Sequence, residues 1–191
     1  MVLVSQAELI AGAIAGKVVS FPTDTVPALA VKPKLAEYIY QLKQRPNHKP
    51  LILLGGSIDQ LLPYIVYNSS ELAAWQKLIA RHLPGALTLV LPASNKVPSA
   101  VNPTNSHTVG IRVPNCAIAR EILRQTGVLA TTSANISGQD TLTKMKDIAE
   151  AFPSVLVFED LDLYSGSGLP STVVGWQNQK WQVLRSGSVV I

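Results

Sequence analysis

Residues 39–54 read IYQLKQRPNHKPLILL, and this stretch decides how the remainder is interpreted. Leu35, Ile39 and Leu42 recur at i, i+4 and i+7, one apolar face of a helix. Pro46 stops that helix at or just before Arg45. Leu51 to Leu54 is a continuous apolar run closed by Gly55-Gly56, the pattern of a strand buried on both faces. Between the two lie Lys43, Arg45 and Lys49, with His48 beside them. Cations on a loop held between rigid elements suit a phosphate-rich ligand. They also compensate a helix C-terminus or simply face solvent, and this stretch alone leaves both readings open.

Working outward, a chain of 191 residues with 47% hydrophobic and 15% charged residues is long enough for a sizeable core, and one domain over 1–191 is expected. The net charge of +4 permits an anionic partner without requiring one. Cys116 is the only cysteine, which excludes a disulfide framework and a cysteine zinc site. No apolar run approaches the roughly 18 residues of a membrane span, so a soluble cytoplasmic protein with no membrane partner is the expectation.

Before the central stretch, Ser5 and Glu8 form a capping box for a helix over 6–15, and KVVSF at 17–21 reads as a strand. Residues 25–31 read as a second strand, which Pro27 assigns to an edge or a bulge. After the central stretch come helices at 58–62 (capped by Ser57), 70–82, 117–126 and from Thr143 to about Phe152, with strands at 87–91, 109–113, 128–131 and 155–158. Residues 93–107 read as a long loop, Glu159 to Asp162 as a solvated acidic turn, and 165–171 as a flexible loop of small residues. Strands at 172–174, 181–184 and 189–191 close the chain, the first two joined at Gln177-Asn178-Gln179. This alternation predicts an α/β sheet covered on both faces, made mixed by the closing hairpin.

No Walker loop, dinucleotide fingerprint, H-E-x-x-H or G-x-S-x-G is present, and His48, His82 and His107 are scattered. What remains is a set of polar clusters at strand ends: Thr23 to Thr25, the Lys43/Arg45/Lys49 group, Arg112, Thr131 to Ser137, Ser171-Thr172 and Arg185. Hydroxyls at such places also cap helices and satisfy turns. Arg112, among apolar neighbours, needs a carboxylate or phosphate partner; a structural Asp or Glu serves as well as a ligand. Together these groups clamp anions and orient reactants without a nucleophile or base, the logic of phosphoryl and nucleotidyl transfer.

At these clusters the chain resembles the YrdC/TsaC family, the threonylcarbamoyl-AMP synthases of tRNA modification. The resemblance is carried in order by PTDTV (22–26), LKQRPNHKPL (42–51), LPGALTLVL (83–91), VGIRVP (109–114), TSANISG (132–138), STVV (171–174) and LRSG (184–187). It implies a YrdC-like twisted open mixed sheet flanked by helices, with a positively charged concave cleft. It implies that L-threonine, bicarbonate and ATP, with Mg²⁺ accompanying the ATP, become threonylcarbamoyl-AMP and pyrophosphate, and that a downstream threonylcarbamoyl transferase takes the product to tRNA. By resemblance Lys43, Arg45, Asn47, Thr108, Ser133, Asn135, Thr141 and Arg185 contact ATP. Thr23, Arg112, Thr131 and Ser171 hold threonine, and Lys49 adds to the field around the phosphates. The chain departs from the family pattern at Pro27 and Ala28, where Tyr and Gly are usual, at Gly175, where Asp is usual, and at Cys116, where His is common. Two alternatives stand beside the synthase: a non-catalytic module binding double-stranded RNA or tRNA, and a paralogue using another amino acid.

Overall fold

In the central strands, alternate residues point to opposite faces, and the pairing turns that alternation into two rows. Ala130, Leu53, Ile111, Leu89 and Val174 stand directly opposite one another across neighbouring strands. All are fully buried, and they form the spine of the largest core cluster. Burying an aliphatic side chain of this size contributes about 1.5–3 kcal/mol, so this row anchors the sheet.

The structure is a computed structural model and describes residues 2–46, 48–104, 107–136, 138–159 and 166–191. Its strands are β1 (Leu3–Val4), β2 (Val19–Phe21), β3 (Ala28–Val31), β4 (Ile52–Leu54), β5 (Leu87–Pro92), β6 (Thr108–Arg112), β7 (Leu129–Ser133), β8 (Leu156–Phe158), β9 (Thr172–Gln177) and β10 (Lys180–Arg185). Among the described residues they form one sheet in the order β1-β8-β2-β3-β7-β4-β6-β5-β9-β10. The helices are α1 (Gln6–Ile14), α2 (Glu37–Lys43), α3 (Ile58–Leu61), α4 (Ser69–His82), α5 (Ala117–Thr126) and α6 (Met145–Ala151).

The expected α/β class holds, but helices cover one face fully and the other only at one end, with several further changes of detail. Antiparallel pairs β2/β3, β3/β7, β4/β7 and β5/β6 run through the middle, so the mixed character is not confined to the closing hairpin. Pro27 marks neither an edge nor a bulge. It precedes β3, which lies between β2 and β7, and its carbonyl accepts from the Ala134 amide at 3.0 Å. β1 lacks a sequence signal because it is two residues long. Residues 189–191 are not a strand; the Val189 carbonyl and amide instead bond the Thr172 hydroxyl. Lys144 rather than Thr143 precedes α6, and α4 is capped by Asn68 through a capping box with Glu71. The expected box at Ser5 and Glu8 is present. Most of the acidic turn, Asp160 to Asp162, lies outside the described residues.

Helices α2, α3 and α4 contribute to the core beneath the Leu53 row. On the other face, α1 and α5 pack over β2, β3, Leu54 and Leu129. They cover only that end of the face.

Candidate functional site

The uncovered end carries the second row of the alternation. Thr131, Ile52, Gly110, Val90 and Gly175 are paired across β7, β4, β6, β5 and β9. The first four of these floor a cavity of about 740 Å³, within the range of small-molecule and cofactor sites. Glycine keeps this floor flat at Gly110, where a β-carbon would stand 2.7 Å from the Ile52 side chain.

One side of the cavity is built from hydroxyls and an arginine. The Arg112 guanidinium donates to Asp24 Oδ1 at 2.6 Å, Thr25 Oγ1 at 2.9 Å and the Gly85 carbonyl at 2.9 Å. Of the two kinds of anionic partner open to Arg112, the chain itself supplies a carboxylate, Asp24. Thr23 and Thr25 hydroxyls lie 3.0 Å apart, and Thr23 also donates to the Val26 carbonyl. Thr88 and Ser171 hydroxyls lie 2.8 Å apart, and Thr131, on β7, lines the same cavity. The segment at 166–168 closes over this side: Ser167 and Gly168 amides donate to the carbonyls of Asp24 and Thr25.

The rest of the lining carries cations: Arg45 with His48, Thr104, Thr108, Ser133 and Thr141, and Arg185 against Ser171. Arg45 donates to the carbonyls of Lys49 at 2.8 Å and Pro50 at 3.0 Å, and Arg185 to the Ser171 carbonyl at 2.7 Å. Among the described residues neither arginine has a carboxylate within ion-pair distance. Unneutralised guanidinium groups at a concave surface attract an anion.

Lys43 sits behind this wall, 1% exposed and not among the residues lining the cavity. Its ammonium donates to the Ser133 carbonyl at 2.5 Å, Asn135 Oδ1 at 3.1 Å and Thr132 Oγ1 at 3.4 Å. A lysine has three N–H donors, so these contacts use all of them. Burial first, and then the charge of Arg45, push its pKa down to about 7. Asn135 ties the same turn together, accepting from Ser133 Oγ and donating to the carbonyls of Ile136 and Gln139. The Leu142 amide then meets the Ala134 carbonyl, which brings Thr141 back beside Ser133.

The structure thus gathers Thr23, Arg45, Thr108, Arg112, Thr131, Ser133, Thr141, Ser171 and Arg185 around one cavity. It places Lys43 and Asn135 just behind the wall and leaves the exposed Lys49 outside the lining, its carbonyl holding Arg45. Asn47 lies outside the described residues. The sequence marks Asp24 and Thr25 only as members of the Thr23 to Thr25 cluster, without a role of their own, and does not mark Thr88 as a site residue. The available signal at Thr88 was a hydroxyl within LTLVL, on the face opposite Leu87, Leu89 and Leu91.

With this geometry in place, the chain can be set beside known proteins. It is 33% identical over 180 residues to the threonylcarbamoyl-AMP synthase of Bacillus subtilis (strain 168), covering 91% of this chain and 50% of that protein. It is 32% identical over 174 residues to the threonylcarbamoyl-AMP synthase of Hydrogenovibrio crunogenus, covering 86% of this chain and 89% of that one. Its backbone matches the crystal structure of P. abyssi Sua5 complexed with L-threonine with a TM-score of 0.85 at 28% identity, over 98% of this chain and 57% of that chain. The chain therefore spans about half the length of the Bacillus and P. abyssi proteins and most of the Hydrogenovibrio one. The family model for Sua5/YciO/YrdC, described as Telomere recombination, matches residues 13–187. With that match spanning nearly the whole sheet, the chain belongs to the Sua5/YciO/YrdC family.

Proposed function

We propose that this chain is a threonylcarbamoyl-AMP synthase. The observation that carries the proposal is the meeting, in one cavity, of a hydroxyl-lined arginine with a cationic wall that has no carboxylate partner among the described residues. The first side suits an amino acid and the second a triphosphate. The threonine nitrogen bonds to the carbon of bicarbonate, water leaves, and a carbamate forms. A carbamate oxygen then attacks the α-phosphorus of ATP, the bond to the β-phosphate oxygen breaks, and pyrophosphate departs. The chain supplies positioning and charge for this sequence, as expected where no covalent intermediate forms.

Arg112, held on separate sides by Asp24, Thr25 and Gly85, is oriented toward the amino-acid carboxylate. Thr23, Thr131 and Ser171 surround the rest of the amino acid. Arg45, Thr108, Ser133, Thr141 and Arg185 bind the nucleotide, and Lys49 adds to the positive field around its phosphates. Lys43 and Asn135 fix the Ser133 turn against which it lies. No group of three or more His, Cys, Asp or Glu among the described residues could hold a metal ion. Mg²⁺ entering with ATP would offset the charge of the phosphates. The activity belongs in the cytoplasm, and the product passes to a transferase that modifies tRNA.

Pyrophosphate release tests this reading. It is expected only when ATP, L-threonine and bicarbonate are all present, and full turnover without threonine overturns it. A panel of amino acids in the same assay asks whether Pro27 and Ala28 have altered the preferred substrate.

A further inference from the structure

The two sides of the cavity are joined by side-chain contacts. Thr88 Oγ1 lies 2.8 Å from Ser171 Oγ, and Arg185 Nη2 donates to the Ser171 carbonyl at 2.7 Å and to Ser171 Oγ at 3.3 Å. Resting on the reading above, we propose that Thr88 is a positioning residue that couples the two substrate subsites through Ser171 and Arg185. Its consequence is that ATP and L-threonine tighten each other's binding.

The geometry supplies a buried end and an exposed end. Thr88 is 1% exposed and lies on β5, whose Leu87 and Leu89 are fully buried and paired with Thr172 and Val174. Arg185 is exposed and ends β10, which among the described residues pairs with β9 alone at the edge of the sheet. Ser171, 5% exposed, stands between them. A serine hydroxyl has one proton and two lone pairs. Arg185 donates to one lone pair, and Thr88 can donate to the other. The serine proton is then left to point into the cavity, toward an acceptor on the amino acid. Without the Thr88 hydroxyl, nothing on β5 holds that orientation.

A guanidinium has five N–H donors, and the Ser171 contacts use only Nη2. A phosphate can therefore bind Nε or Nη1 without breaking them. It immobilises Arg185, and Arg185 then holds Ser171 in the arrangement threonine needs. The second ligand has less ordering to impose, which is positive cooperativity without a large conformational change. Linkage makes the effect reciprocal.

Calorimetry on the full chain, with Mg·ATP and L-threonine in bicarbonate-free buffer to prevent turnover, tests the coupling. In the wild type, saturating ATP is expected to lower the Kd for threonine by about fivefold or more, and threonine to lower that of ATP by the same factor. Thr88→Val is expected to leave the Kd of ATP alone within about twofold while the coupling factor falls to about 1. Thr88→Ser, which keeps the hydroxyl, should retain the coupling. Coupling as in the wild type for a folded Thr88→Val overturns the proposal. So do independent affinities in the wild type, an outcome that needs no variant to fold. Binding of neither ligand to the wild type is the distinct outcome that overturns the functional reading itself.

Discussion

Lys43 bears a cost that its contacts only partly offset. An ammonium with neutral acceptors, and no carboxylate within ion-pair distance among the described residues, is destabilised by burial, and this, with the charge of Arg45, is why its pKa falls to about 7 from 10.5. Between those values the unfolded chain binds more protons than the folded one. Stability contributed through this group therefore rises as pH climbs from about 7 toward 10.5. Below pH 7 both states are protonated and this part of the pH dependence vanishes. Lys43→Met should flatten the climb between pH 7 and 9 when denaturant midpoints are compared, and an unchanged slope would exclude Lys43 as its source. The positive character of this residue was legible in the sequence, but its burial was not. A lysine that ends a helix and opens the run K-Q-R-P looks like a solvated charge until β7 and its turn are packed against it. Arg112 presented the reverse case, because an arginine in V-G-I-R-V declares its need for a partner. The choice of Asp24 for that role came only with the fold.

At the scale of elements, the site depends on loops lying against one another rather than on helices or strands alone. The 166–168 segment crosses the Thr23–Thr25 turn so closely that a β-carbon on Gly166 would stand 2.6 Å from the Thr23 carbonyl oxygen and against that of Thr25. Both obstacles are backbone, so they cannot rotate away. Gly166→Val is expected to lift this segment, break the amide bonds from Ser167 and Gly168, and raise the KM for threonine about tenfold, the scale of one or two lost hydrogen bonds. The KM for ATP should change far less, and equal effects on both would place the segment elsewhere in the mechanism. Periodicity exposed α1, α4, α5 and most strands because each has a clear apolar pattern. It failed where pattern is short or shared. β1 has two residues, Pro27 sits beside a strand rather than within it, and 189–191 is apolar without a ladder partner. The β9–β10 hairpin was legible as a polar turn, and positive φ at Asn178 (48°) and Gln179 (60°) gives the twist that two-residue hairpins favour.

For the whole molecule, residues as distant in sequence as Thr23 and Arg185 meet around a single cavity, so the folded state alone can bind its ligands. ATP and threonine should then stabilise the entire chain rather than one segment. With each at about 100 times its Kd, each contributes about 2.7 kcal/mol, a rise in Tm of about 5–10 °C per ligand for a chain of this size. Thermal unfolding measured with and without the ligands checks this. A Tm that stays fixed would mean that the cavity does not receive them.

The paired rows of the sheet carry a last consequence. Sliding β4 by one position would point Leu53 at the reactants and Ile52 into the oily interior, ruining chemistry and folding in a single stroke. Insertions and deletions are therefore forbidden in this strand. A protein designer seeking a new appetite from this scaffold should leave the slab alone and redraw its shoreline.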